Sequence, residues 1–131
     1  MIIGVTSVIV TDQSKAKAFY TDALGFQVKY DFPVDAAGNR WLTVVSPERP
    51  DGVELLLSDN SNPISQAFQQ GMREQNIAAI NFNTSDIAAE HERLAAAGVV
   101  FTMPPTDIGA VIMAVFDDTC GNLINLVQEK G

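Results

Sequence analysis

Residues 5–26, VTSVIVTDQSKAKAFYTDALGF, and residues 78–101, AAINFNTSDIAAEHERLAAAGVVF, read as two copies of one strand–helix–strand opening. Each starts with a β-branched run and then meets an aspartate suited to cap a helix, Asp12 or Asp86. Each helix then stops at a glycine, Gly25 or Gly98. RWLTVV (40–45) and GVELLL (52–57) follow the first copy, as AVIMAVF (110–116) and GNLINL (121–126) follow the second. Asp12 and Asp86 are 74 residues apart, and Glu54 and Asn125 are 71 apart, so the copies drift by three residues in their loops.

Outward from these anchors, alternation and turn residues predict strands over 2–11, 26–32, 40–46, 53–57, 77–83, 99–103, 111–116 and 123–128. Helices are expected over 14–24 and 86–97, with a short helix near 64–72 in the connection. DAAGN, SPERPDG, PPTDIG and DDTCG read as turns. The order is βαβββ twice. The expected class is α+β, with two tandem βαβββ modules forming a curved mixed sheet around a pocket. A single domain, 1–131, would hold a first module (1–58), a connection (59–76) and a second module (77–131).

Composition narrows the function classes. The chain has 8 Lys and Arg against 16 Asp and Glu, a formal charge of −8, which argues against a nucleic-acid partner. It suits long-range steering of a cation, although solubility alone also explains it. No apolar run is long enough to span a bilayer, so no membrane partner is expected. The one cysteine, Cys120, excludes an internal disulfide and fits a reducing, cytoplasmic compartment. It sits in a turn with no neighbouring base and reads as inert. The one histidine, His91, falls at the edge of an apolar helical stripe and reads as a packing residue.

Strand alternation sorts residues onto two faces. Val8, Val10, Val53, Leu55, Leu57, Ile80, Phe82, Ile124 and Leu126 make an aliphatic face suited to cover by helices. The opposite face mixes polar and apolar groups, as a ligand cleft does. Its expected lining is Val5, Ser7, Trp41, Thr43, Glu54, Leu56, Ala79, Asn81, Ile112, Ala114, Leu123 and Asn125, with Arg40 at the margin. An aromatic anchor beside a guanidinium, Trp41 and Arg40, would grip a flat or anionic ligand.

Asp12, Ala16, Phe19–Tyr20 and Leu24–Gly25–Phe26 are followed by RWLTV, DGVEL, ERLAAAGVVF and FDDTCGNLINL. In this order the chain resembles the vicinal oxygen chelate superfamily, which includes glyoxalase I, fosfomycin- and bleomycin-resistance proteins and extradiol dioxygenases. The resemblance spans essentially the whole chain. It implies a pocket in a homodimer and, in catalytic members, a divalent metal held from four strands. The matching positions here are Val5, Glu54, Ala79 and Asn125. Only Glu54 is a competent donor, so no metal and no other cofactor is expected. Glu54 is either a pocket carboxylate able to act as a base or a remnant satisfied by Asn125, Arg40 or water. The reading that follows is a small-molecule binding protein with a metal-free apolar pocket. The alternative is a divergent metal-dependent lyase, isomerase or dioxygenase whose site is completed across a homodimer.

Overall fold

The computed structural model describes residues 1–131, and its elements grow from the repeat. Strand β1 (Val5–Val10) leads into helix α1 (Gln13–Ala18), which ends in a π-helical turn, Phe19–Ala23. Strands β2 (Gln27–Pro33), β3 (Arg40–Val45) and β4 (Glu54–Asp59) complete the first module. Helix α2 (Pro63–Glu74) connects it to β5 (Ile80–Asn83), α3 (Ile87–Ala96), β6 (Phe101–Asp107), β7 (Val111–Asp117) and β8 (Leu123–Glu129). The capping aspartates act as expected. Asp12 accepts from the Lys15 amide at 2.9 Å and Asp86 from the Ala89 amide at 3.1 Å.

The strands form two four-stranded sheets, ordered β1-β4-β3-β2 and β5-β8-β7-β6. In each, the outer pair β1–β4 or β5–β8 is parallel and the remaining pairs are antiparallel, which makes both sheets mixed. Two strands start later than the alternation suggested, at Val5 instead of residue 2 and at Ile80 instead of residue 77. The reverse holds for β6, which runs through Pro104 and Pro105 where a turn was expected. It is an edge strand, so the missing amide donors deprive no neighbour, and two register shifts against β7 absorb the misfit.

One face of each sheet is covered. In the first, Val8, Val10, Leu42, Val44, Leu55 and Leu57 pack with Ala16 and Tyr20. In the second, Ala114, Phe116, Ile124 and Leu126 pack with Ile87, Leu94 and Val99. Phe19, Leu24, Ile80 and Phe82 touch both clusters, so the two cores abut. Gln13 ties α1 to its sheet, donating to the carbonyls of Arg40 and Leu57 and accepting from the Arg40 amide.

A buried polar knot fastens the modules together. The Tyr20 hydroxyl donates to Asp118 Oδ2 at 2.7 Å, and Asp118 also accepts from the Cys120 amide, the Asn122 amide and Asn122 Nδ2. Asn122 and Gln69 both donate to the carbonyl of Ile9, at the end of β1. Gln69 lies against Gly121, whose φ of +98° and 2.5 Å clearance at a virtual Cβ leave room only for glycine.

Two outcomes follow from this knot. Tyr20→Phe removes one of the donors to Asp118 and is expected to cost about 1–3 kcal/mol in urea unfolding. A cost below about 0.5 kcal/mol would mean that water replaces the phenol freely. Burial and then the Asp118 charge push the Cys120 thiol from 9.0 up to about 11, and the same two causes push the Tyr20 phenol well up. Both groups therefore favour the folded state while neutral. The thiol's contribution is whole below pH 9 and lost as pH rises through about 11. Unfolding free energies measured against pH should fall across that window, and Cys120→Ala should flatten the fall.

Candidate functional site

The uncovered face of the first sheet is built by register. Thr43 on β3 stands opposite Leu56 on β4 and Tyr30 on β2, while Trp41 stands opposite Phe32. Val5 and Ser7 on β1 lie beside Glu54 and Leu56. Directly opposed residues share a face, so Trp41, Thr43, Glu54, Leu56, Val5 and Ser7 come together as expected. Tyr30 and Phe32 join them. Their rings meet edge to face with centroids 6.3 Å apart, and they are 47% and 48% exposed.

Glu54 is neither orphaned nor satisfied as anticipated. Its Oε1 accepts from the Thr43 hydroxyl at 2.9 Å, and its Oε2 lies 3.8 Å from Lys29 Nζ. Arg40 and Asn125 make no contact with it. Arg40 leaves the strand on the helix side, where it pairs with Asp31 at 2.9 Å and donates to Ser14. The hydrogen bond from Arg40, then one from Lys17, holds the Asp31 carboxyl below its ordinary range. The expected Trp41–Arg40 grip therefore does not form, because adjacent strand residues point to opposite faces.

The second sheet needs a larger correction. Val115 stands opposite Asn125, and Asn125 stands beside Asn81, whose side-chain oxygen accepts from its amide at 2.9 Å. This row matches Thr43, Leu56 and Ser7 of the first sheet. The β3–β7 offset is therefore 115 − 43 = 72, and the β4–β8 offset is 125 − 56 = 69. The intervening turn spans residues 46–53 in the first module but only 118–122 in the second. A single offset of 71 thus misplaced both strands. Ile112 and Ala114 belong to the covered face, where Ala114 is fully buried, and Met113 and Val115 take their places. The counterpart of Glu54 is the buried Leu123, and Ala79 packs against the first core.

A catalytic divalent ion needs about three protein donors. At the four corresponding positions, Val5, Ala79 and Leu123 offer none, and Glu54 is engaged by Thr43 and Lys29. No three His, Cys, Asp or Glu side chains gather anywhere in the chain as a metal-holding group. The residues present do not fit such an ion within one chain. His91 packs its ring edge to face on Phe101 at 4.5 Å, away from this face.

A scan against family models matches residues 2–126 to the Glyoxalase/Bleomycin resistance protein/Dioxygenase superfamily. The chain belongs to this superfamily. Among its relatives, the uncharacterized protein YurT of Bacillus subtilis (strain 168) is 47% identical over 129 residues, covering 98% of this chain and all of that protein. The crystal structure of UcmS2 superposes with a TM-score of 0.83 at 32% identity, over 97% of each chain. TnmS3, an antibiotic binding protein from Streptomyces sp. CB03234, superposes at 0.78 with 30% identity, over 99% of this chain and 97% of its own.

The largest cleft, about 1130 Å³, lies elsewhere, between the turn 46–53 and the end of β5. It includes Asn81 but none of Trp41, Thr43 or Glu54. This cleft is lined by Phe26, Phe82 and Phe116 with Glu90, which Arg93 holds at 2.6 Å, whereas the open sheet face carries Tyr30, Phe32 and Trp41 with Glu54.

Purified without chelators, the protein is expected to carry no stoichiometric divalent metal by elemental analysis. A metal at one equivalent per chain that disappears in Glu54→Ala would overturn this reading of the donor set.

Proposed function

We propose that this chain is a small-molecule binding protein, and that its ligand lies on the uncovered face of the first sheet. One observation carries the reading: Tyr30 and Phe32, half exposed, stand opposite Thr43 and Trp41, and the buried Thr43 hydroxyl holds the Glu54 carboxylate. Exposed aromatic rings on a rigid sheet can bury large area against a ligand at small entropic cost. The antibiotic-binding role of TnmS3 supports a small-molecule ligand.

Covalent chemistry has less support. A lone carboxylate whose oxygen already accepts from Thr43 lacks a partner that would stabilise developing negative charge. The face holds what binding needs: rings for contact area, and Glu54 for orientation.

The face is open in one chain. Val5, Tyr30 and Phe32 are 40–48% exposed, and β2 is exposed along its whole length. We infer that a second copy covers it, with Met113, Val115 and Asn125 of its second sheet as the facing surface. A homodimer closed in this way turns two open faces into two enclosed sites. No helix is long and apolar enough to cross a membrane, and a cytoplasmic setting suits the single buried thiol.

Trp41 is the only tryptophan, so its fluorescence reports on the site directly. A panel of planar aromatic compounds should contain ligands that shift or quench its emission and raise the melting temperature. Trp41→Ala should weaken those ligands by about 1–3 kcal/mol, and light scattering should give twice the chain mass. A panel that moves neither signal would sink the proposal.

A further inference from the structure

We propose that the uncovered face selects a planar aromatic ligand carrying a positive charge, and that Lys29 is the internal counter-ion such a ligand displaces. This deepens the binding reading above and rests on it. The argument starts with a β-bulge. Val28 pairs with Val44 and Tyr30 with Thr43, so Lys29 is an extra residue with no partner across the strands. A bulge breaks the alternation and turns two consecutive side chains toward one face. Lys29 accordingly reaches over the uncovered face beside Tyr30, with Nζ 5.9 Å from that ring's centre.

The two charges it brings together are held very differently. Glu54 has 17% of its side chain exposed and is anchored through Oε1 by the fully buried Thr43. Lys29 is 32% exposed and stands 3.8 Å from Oε2, too far for a hydrogen bond. It makes no other polar contact. The face thus presents a fixed anion with a loosely tethered cation above it. A flexible lysine gains little from such a pair and loses little by leaving it. A ligand cation that forms a close, charge-assisted bond to Oε2 would do better than Lys29 does.

The rings set the rest of the ligand. Thr43 and Trp41 are two residues apart on one strand, about 7 Å between their backbones, and Tyr30 stands opposite Thr43, which holds the carboxylate. A fused ring system bearing an amine spans that distance. Its cationic edge is also attracted to the faces of Tyr30 and Trp41. An anionic ligand would meet Glu54 and a chain of net charge −8.

The test uses the full-length protein with proflavine, a planar cation, and acridone, a neutral compound of the same ring skeleton, titrated by calorimetry. Proflavine is expected to bind about tenfold tighter than acridone, which corresponds to about 1.4 kcal/mol. Glu54→Gln keeps an acceptor for Thr43, so the fold should hold in a melting curve while the preference disappears. Lys29→Met is expected to tighten proflavine about threefold or more by removing the competitor, with acridone unchanged. Equal binding of both dyes, or a preference that survives Glu54→Gln, overturns the charge selection and leaves the binding reading standing. Loss of preference in Glu54→Gln with no gain in Lys29→Met overturns the displacement by Lys29. If neither dye binds, the charge selection falls, while the binding reading falls only if the wider panel of planar aromatic compounds also leaves Trp41 emission and the melting temperature unmoved.

Discussion

A buried carboxylate holds the two halves of this chain together. Asp118 has no exposed surface, and burying its charge is tolerable only because four donors converge on it. Three come from its own turn and one, the Tyr20 phenol, comes from the other module. The same turn reaches the end of β1 through Asn122, and Gln69 of α2 seals it from outside. Remove the carboxylate and Tyr20, fully buried, loses its acceptor in the middle of the first core.

The repeat predicts a second such knot, and it is absent. Leu94 stands where symmetry would put a second Tyr20, 74 residues on, and the turn 46–53 is three residues longer than its counterpart. In place of polar bonds there is the wide cleft between that turn and β5. The modules are therefore clamped on one side and apart on the other. The covered faces are the ones that meet, at Phe19, Leu24, Ile80 and Phe82, and on the uncovered face of the first sheet Tyr30 and Phe32 remain accessible.

Much of the fold was legible because local chemistry and the repeat agreed. Asp12 and Asp86 cap helices, Gly25 and Gly98 end them, and apolar alternation found the covered faces of β1, β4, β5 and β8. Alternation has a period of two, so a one-residue error in matching the copies reverses every assignment. That is what befell Ile112 and Ala114, since the difference in turn length lies between β7 and β8. Arg40 and Trp41 are neighbours in sequence and so sit on opposite faces. Lys29, Tyr30 and Phe32 were visible only as an unremarked strand segment. Tyr30 and Phe32 alternate around Asp31, which hints at an amphipathic edge. The bulge that brings Lys29 alongside them has no signature in a single sequence.

The knot also governs the order in which this chain can become itself. Tyr20 finds its acceptor 98 residues downstream, and the Ile9 carbonyl finds Asn122 at a separation of 113. Loops of that length are entropically costly to close and form late. During synthesis, the first helix and sheet must therefore wait, with a phenol unmatched in their interior, until almost the whole polypeptide has emerged. The first half of the repeat is complete as a pattern long before it is complete as a structure.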